Sequence, residues 1–300
     1  MIRIELEQGT PEWLKWRRTV ITATDCPALL GSSPYMTAYK CWQRKLGLIE
    51  EQPSNAAMER GKRLEPEARE RFNNEMLPEM GLKFEPAVVE STTYTYLGAS
   101  LDGITPCNRF IVEIKCGGAA LFDMAQHGII PDHYMHQIQH QLLVTGAEKA
   151  FYYCYNGKEG RTIIVMPDNK FVDKFIPKAK DFLKCIADFE PPALMNNDYQ
   201  DMSTNQLWSS YSKAYSEIDA QIKILEEEKE KIRKNLIYLC DERNCSGHGL
   251  KIQKMISKGR IDYDRIPELK SVEIEGYRKA NSITWRIISD KKTQSCENKV

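Results

Sequence analysis

The 300-residue sequence contains no apolar run close to the roughly 18 residues that span a bilayer, and its first ten residues alternate charged with apolar side chains. It has no excess of either charge, because 42 basic residues balance 42 acidic ones. We therefore expect a cytoplasmic protein with no membrane partner. Any electrostatic binding site must be local.

Cysteine pairs and phosphate loops are also missing. Nine cysteines are scattered without a Cys-x-x-Cys pair, so neither a disulfide framework nor a zinc ribbon is indicated. No glycine-rich phosphate loop supports a doubly wound nucleotide fold. The one cluster with a metal-like spacing is Cys240, Cys245 and His248, and a helix end followed by a turn explains it better than zinc does.

The composition itself, with 42% hydrophobic and 28% charged residues, is typical of a soluble globular chain with a sizeable core. Helical spacings alternate with short runs of β-branched and aromatic residues. The pattern predicts helices around a mainly hairpin-built sheet, which is an α+β or mixed α/β fold. We predict helices at 38–46, 58–72, 119–146 and 171–189, and strands at 94–99, 110–115, 150–155 and 162–166.

The hydrophobic period changes after residue 192. Eight large apolar side chains follow a 4,3,4,3 spacing that only Lys229 interrupts, which predicts a long helix over residues 203–243. This stripe must be covered by the same chain or by another subunit. Residues 249–300 carry 12 basic and 7 acidic residues and predict a small basic appendage with strands at 250–256 and 283–288. The apolar positions are Tyr211, Tyr215, Ile218, Ile222, Leu225, Ile232, Leu236 and Leu239.

Two carboxylates and a lysine lie close together in residues 102–115. Alternate residues of a strand share one face about 7 Å apart, so Glu113 and Lys115 project together. Asp102, at the end of the preceding strand of the predicted hairpin, can return close to Glu113. Two such carboxylates repel unless a cation joins them, and oxygen ligands favour Mg²⁺ or Mn²⁺. Lys115 could then orient or deprotonate a water that attacks a phosphodiester; the alternative is an ordinary half-exposed hairpin.

A third carboxylate is available on the predicted helix that precedes these strands. If residues 61–69 are helical, Glu65 can point into the same cleft and serve a second metal ion. The alternative is a solvated charged helix. Further along, His133, His136 and His140 are interleaved with glutamines, which fits a polar helix face. We expect one or more of these histidines to line the DNA groove.

In this order, Gly61 to Glu65, Asp102 and Glu113-Ile-Lys115 resemble the pattern of PD-(D/E)xK nucleases, and specifically the phage lambda exonuclease and YqaJ viral recombinase branch. The block from Trp13 to Asp25 resembles that branch too. So do Gly31 to Tyr35 and the segment around Gln137. The resemblance covers residues 8–190.

The resemblance implies a restriction-endonuclease-like core over residues 1–192, with a mixed sheet flanked by helices. It implies Mg²⁺- or Mn²⁺-dependent digestion of linear double-stranded DNA from 5′ ends, which leaves 3′ single-stranded tails. Asp102 and Glu113 would be metal ligands, with Glu65 joining at a second ion and the carbonyl of Ile114 completing a shell. Lys115 would act on the nucleophilic water. The positions that surround a terminal phosphate or the scissile strand in the family are Arg17, Thr24, Ser100 and Gln137.

The resemblance also bears on partners and cofactors. It implies a single-strand annealing protein as partner and a homo-oligomer, which in this family is often a ring. Relatives with an iron–sulfur cluster need four suitably placed cysteines, so we expect no such cluster here. Two alternatives stay open: a structure-specific or restriction-like endonuclease with the same centre, and a non-catalytic DNA-binding scaffold. The scaffold would have lost a ligand or the lysine, and all are present.

Overall fold

The computed structural model describes residues 1–49 and 55–256, together with Gly259, Ile266 and Pro267. The chain divides into two compact units, Met1–Gln200 and a second that begins at Asp201. Within the described residues, no helix is both long and apolar enough to cross a membrane.

The first unit is built on a six-stranded sheet, in which the strands lie side by side in chain order. The strands are β1 (Ile2–Ile4), β2 (Glu85–Glu90), β3 (Gly98–Ile104), β4 (Phe110–Lys115), β5 (Lys149–Tyr155) and β6 (Gly160–Val165). Only β4 and β5 pair in parallel, and every other neighbouring pair is antiparallel. This mixed sheet flanked by helices confirms the predicted fold class.

Seven helices of the first unit surround the sheet. Two of them begin at a threonine whose hydroxyl caps the first turn: Thr10 accepts from Trp13 N, and Thr37 accepts from Lys40 N. They are α1 (Pro11–Thr19), α2 (Cys26–Leu29), α3 (Ala38–Lys45), α4 (Ala56–Met80), α5 (Ala119–Gln126), α6 (Asp132–Thr145) and α7 (Asn169–Ala187).

Both faces of the central strands are covered. Along β5, Phe151 and Tyr153 pack with Phe72 of α4, whereas Tyr152 belongs to the core that includes Ile138 of α6. Because α5 and α6 form the crossover between the parallel strands β4 and β5, α6 is held against the face that carries Glu113 and Lys115.

The structure corrects the predicted first hairpin. Residues 94–99 are predicted as a strand, but the chain turns at 94–96 and the strand begins only at Gly98: Ser91 Oγ accepts from Tyr94 N, and Leu97 N donates to the carbonyl of Tyr94. The aromatic rings of this turn pack against the core, which produces the strand-like composition. The strand is β3, and Asp102 and Gly103 therefore lie within it rather than in a connection.

Other boundaries differ as well. The helix predicted at 119–146 is broken into α5 and α6, because Gly128 adopts a left-handed conformation and Pro131 precedes α6. The edge strand β1 and its neighbour β2 were not predicted. The strand predicted at 283–288 lies outside the described residues.

The second unit contains the predicted long helix, α8 (Gln206–Cys240). It begins at Asn205, whose side chain accepts from Trp208 N at 3.0 Å, and it ends at Asp241 in a left-handed conformation. A short hairpin of β7 (Cys245–Gly247) and β8 (Leu250–Ile252) follows, so the strand predicted at 250–256 ends early. Seven of the eight stripe side chains are exposed, and Leu236 is half-buried.

Candidate active site

A β-bulge places Asp102. Two residues of β3, Asp102 and Gly103, lie opposite the single residue Pro86 of β2. The extra residue bends the strand. Glycine is required beside Asp102, since a Cβ on Gly103 would lie 2.7 Å from the side chain of Val112 and 2.8 Å from that of Phe84.

The Asp102 carboxylate replaces a main-chain acceptor between β3 and β4. The paired part of these two strands is short and ends at Gly103. Beyond it, Asp102 Oδ2 accepts from Ile114 N at 2.7 Å. This bond ties Asp102 to the part of β4 that carries Glu113 and Lys115.

Glu113 is almost completely buried, with 1% of its surface exposed, yet both carboxylate oxygens have partners. Gln137 and Gln141 of α6 each donate through Nε2 to it at 2.6 Å, and Lys115 forms an ion pair with it. The two glutamines are four residues apart and therefore lie on one face of the helix. They hold the carboxylate in one orientation.

The charges of Asp102, Glu113 and Lys115 change one another's pKa values. Burial, and then the negative charge of Glu113, raise the pKa of Asp102 well above its usual value. Burial opposes the charged form of Lys115, but the carboxylates of Glu113 and Asp102 outweigh it and raise the pKa of Lys115. Lys115 Nζ also lies 4.9 Å above the ring of Tyr134. Lys115 is thus a fixed ammonium at one wall of the site.

Helix α4 supplies Glu65 and a residue that holds both it and Asp102. Arg69 donates through Nε to the carbonyl of Asp102 at 2.7 Å, and its NH2 group pairs with Glu65. The neighbouring carbonyl, that of Leu101, accepts from Gln8 Nε2 at 3.1 Å. Two side chains thus satisfy two consecutive carbonyls at the bulge.

The donor set suits one hard divalent cation. Asp102 and Glu113 offer carboxylate oxygens, and their mutual repulsion raises the pKa of Asp102, which is the condition a shared cation relieves. In the part of the chain that the structure describes, no three His, Cys, Asp or Glu side chains are grouped closely enough to hold a metal ion. Glu65 is close enough to raise the pKa of Asp102, but Arg69 pairs with it.

Arg17 and Thr24, which the sequence suggests for phosphate binding, meet directly. Arg17 NH2 donates to Thr24 Oγ1 at 2.7 Å, and its guanidinium lies 4.7 Å above the ring of Trp13. Trp13 Nε1 in turn donates to Ser100 Oγ at 2.7 Å. Because Ser100 precedes Asp102 by two residues in β3, this cluster adjoins the carboxylates.

A buried ion pair supports the Arg17 cluster. Lys45 Nζ contacts Asp25 and also donates to the carbonyls of Arg17 at 2.6 Å and Val20 at 2.5 Å. Asp25 accepts from the main chain and hydroxyl of Thr22. Burial opposes the charge of Asp25, but Lys45 lowers the pKa of this carboxyl to about 2.

Comparison with known proteins shows what part of this chain is similar to. Residues 12–148 match the model of the YqaJ-like viral recombinase domain. These residues, a little under half of the chain, are similar to that domain and are called the YqaJ-like domain below. The match contains Arg17, Thr24, Glu65 and the β3–β4 carboxylates, together with both glutamines of α6.

Relatives of the YqaJ-like domain include one curated protein and several solved structures. The uncharacterized protein YqaJ of Bacillus subtilis is 27% identical over 184 residues, which is 60% of this chain and 54% of YqaJ, so the chain spans about half of that relative. Two crystal structures of the alkaline exonuclease LHK-Exo of Laribacter hongkongensis are 24% and 23% identical. They cover 60% of this chain and 94% of their own, with TM-scores of 0.52 and 0.51. This likeness shows a shared fold.

The structure brings together Asp102, Glu113, Ile114 and Lys115 of the predicted site, and Glu65 lies near Asp102 but pairs with Arg69. Gln137 differs: it is buried, and its amide donates to Glu113 rather than facing solvent for a phosphate.

The sequence pattern places Gln141 only on a polar helix face and indicates no role for Arg69. The only available signal was their spacing of four residues from Gln137 and Glu65, which predicts a common helix face.

The three histidines of α6 are not equivalent. His140 is fully buried and bonds the carbonyl of Gly98 through Nε2 at 3.0 Å, so it does not reach a DNA groove. His136 Nδ1 pairs with Ser32 Oγ at 2.7 Å. His133 lies among aromatic rings near Lys115.

Proposed function

We propose that the YqaJ-like domain is a metal-dependent deoxyribonuclease that digests linear double-stranded DNA from 5′ ends and leaves 3′ single-stranded tails. One observation supports the proposal: the buried carboxylate of Glu113, the half-buried carboxylate of Asp102 and the ammonium of Lys115 converge where β3 and β4 separate, and amides from α6 and β4 hold the carboxylates in place. Taking these charged groups out of water lowers the stability of the fold. A catalytic role would explain why the cluster is present despite that cost.

The cluster provides the parts for phosphodiester hydrolysis. Asp102 and Glu113, with the carbonyl of Ile114, would hold Mg²⁺ or Mn²⁺, which supplies Lewis-acid stabilisation of the developing charge when bound. Lys115 donates from the same wall to the attacking water or to a phosphate oxygen. A second ion would need Glu65, which must first leave Arg69.

The preference for 5′ ends would come from the Arg17 cluster. A guanidinium and a hydroxyl in contact form a charged donor pair suited to a phosphate. Trp13 contacts both Arg17 and Ser100, and Ser100 is two residues from Asp102 in β3, so a terminal phosphate at Arg17 would leave the next phosphodiester on the side of the carboxylates. LHK-Exo has been crystallised with dAMP, a nucleoside monophosphate of the kind that such digestion releases.

Two kinds of protein partner complete the proposal. A single-strand annealing protein would receive the 3′ tail. A second copy of the chain would cover the stripe of α8, since its 4,3 spacing is that of a coiled coil and Lys229 at one inner position is a known register device. In a parallel pair, Glu228 of one helix would meet Arg233 of the other.

An end-labelled linear duplex and a closed circular duplex, each with and without Mg²⁺, test the activity. We expect release of nucleotides from the linear substrate alone, only with the ion, and none from Lys115→Ala or Asp102→Asn. Lys158→Ala, an exposed lysine of the β5–β6 turn, is the matched control and should digest DNA normally. Cleavage of the circle would favour the endonuclease, and binding of DNA without any cleavage would favour the scaffold.

A further inference from the structure

An exposed aromatic ring lies beside the candidate active site and takes little part in the core. Tyr35, in the turn between α2 and α3, is 73% exposed. The turn itself is fixed, because Ser33 Oγ accepts from Tyr35 N at 3.2 Å and from Met36 N at 3.1 Å. The ring of Tyr35 therefore contributes little to the core, although the backbone of Tyr35 is held in place.

His133 connects this ring to the catalytic lysine. The rings of Tyr35 and His133 meet edge to face, with centroids 5.8 Å apart. His133 lies 4.1 Å from the ring of Tyr134, and Lys115 Nζ lies 4.9 Å above Tyr134. Three aromatic rings thus lead from solvent to the ammonium of Lys115.

One of these three rings carries a nitrogen without a hydrogen-bond partner among the described residues. His133 Nε2 is buried and makes no hydrogen bond to any residue that the structure describes. A buried nitrogen of this kind is costly unless a ligand or water completes it. A flat ligand with polar groups along its edge would stack on an aromatic ring and reach this nitrogen.

We propose that Tyr35 and His133 form a stacking site for one unpaired nucleobase of the strand being digested. The inference rests on the proposed function, because a strand whose phosphate lies at Lys115 carries its base toward the neighbouring rings. Stacking on aromatic rings accepts every base, since each has a π-face. The site would therefore bind a terminal nucleotide without sequence preference.

The stacking site is tested by combining a change in the protein, Tyr35→Ala, with a change in the substrate, an abasic terminal nucleotide. Tyr35→Ala should slow digestion of an intact end by roughly 5- to 150-fold, the range for loss of one base–aromatic stack. An abasic terminal nucleotide should slow the wild-type protein similarly, and the two changes together should slow it no further. Tyr35→Phe should digest normally, as should Tyr199→Ala, which removes an exposed tyrosine elsewhere in the first unit.

Binding gives a readout that does not need cleavage. With Ca²⁺ in place of Mg²⁺, 2-aminopurine at the terminal position should lose fluorescence on binding to the wild-type protein but not to Tyr35→Ala. Equal slowing of intact and abasic ends by Tyr35→Ala, or equal quenching by both proteins, would overturn the site. A wild-type protein that cleaves no DNA would overturn the proposed function instead, and the quenching would then decide the stacking site alone.

Discussion

Arg69 donates through Nε to the main-chain carbonyl of Asp102 at 2.7 Å, and the same guanidinium pairs with Glu65. One side chain thus fixes the backbone of one carboxylate residue and the side chain of another. The bulge makes this bond necessary, since the irregular pairing with β2 leaves carbonyls to be satisfied by side chains.

We expect Arg69→Ala to lower kcat about 10- to 100-fold, the usual effect of losing a residue that orients a metal ligand, while KM for DNA changes little. The Mg²⁺ concentration for half-maximal rate should rise. Arg69→Lys should recover only part of the rate, because one ammonium cannot reproduce the two-pronged contact. Arg71→Ala, two residues along the same helix and exposed, is the control; an unchanged kcat in folded Arg69→Ala would contradict the role.

Arg17→Ala should slow digestion of 5′-phosphorylated duplex about 10- to 150-fold more than that of 5′-hydroxyl duplex. This range corresponds to about 1.5 to 3 kcal/mol for one charge-assisted hydrogen bond. Single-turnover rates on the two substrates measure it. Arg18→Ala, the exposed neighbouring arginine, should leave the ratio unchanged. Equal slowing of both substrates by Arg17→Ala would mean that Arg17 serves the fold and not the terminal phosphate.

The pH dependence of the free energy of unfolding should reveal the lowered pKa of His140. Burial lowers the pKa of this imidazole to about 4, while an unfolded histidine titrates near 6.5. The unfolded state therefore binds more protons between these values, and stability falls as the pH drops from about 6.5 to 4, by on the order of 3 kcal/mol.

His140→Gln keeps a donor for the carbonyl of Gly98 but does not titrate. Its free energy of unfolding, measured with urea at several pH values, should fall less steeply than that of the wild-type protein across this window. Parallel profiles for the two proteins would show that another group causes the acid sensitivity.

The stripe of α8 should govern self-association. Ile222→Glu with Leu225→Glu places charges at two inner positions and should lower the mass of the full chain in solution, as measured by light scattering. Ile224→Glu alters an equally exposed apolar residue of the same helix that lies off the stripe, and it should keep the wild-type mass. If the wild-type protein is already monomeric, the stripe does not mediate self-association, and something other than a second copy of the chain must cover it.

The parts of the fold that depend on local sequence were predictable. Helices α3 and α8 begin at capping residues, and strand β4 alternates Val112 and Ile114 with Glu113 and Lys115. The position of Asp102 within a strand was not predictable, because it depends on a bulge opposite Pro86 in a strand that follows α4. The aromatic turn before β3 was read as a strand because its tyrosines are half-buried by distant residues.

In the candidate site, too, the features that depend on local sequence were predictable and those that depend on the folded chain were not. The spacing of Glu113 and Lys115 indicates their common face, and the order of motifs indicates Asp102 and Glu65. The bonds that hold them come from Gln8, Arg69 and Gln141, each of which contacts its partner only after the chain has folded. No spacing in the sequence distinguishes these donors from ordinary polar surface residues.

The ammonium of Lys45 has a consequence for how such a protein can diversify. All of its bonds go to residues of one short segment, the carbonyls of Arg17 and Val20 and the carboxylate of Asp25. The segment that presents Arg17 and Thr24 is therefore braced largely from within, while residues 102–141 assemble Asp102, Glu113 and their glutamines in one contiguous stretch. Under the proposed function, Arg17 and Thr24 can therefore be exchanged to alter the recognition of a strand end without breaking any hydrogen bond or ion pair of Asp102 or Glu113.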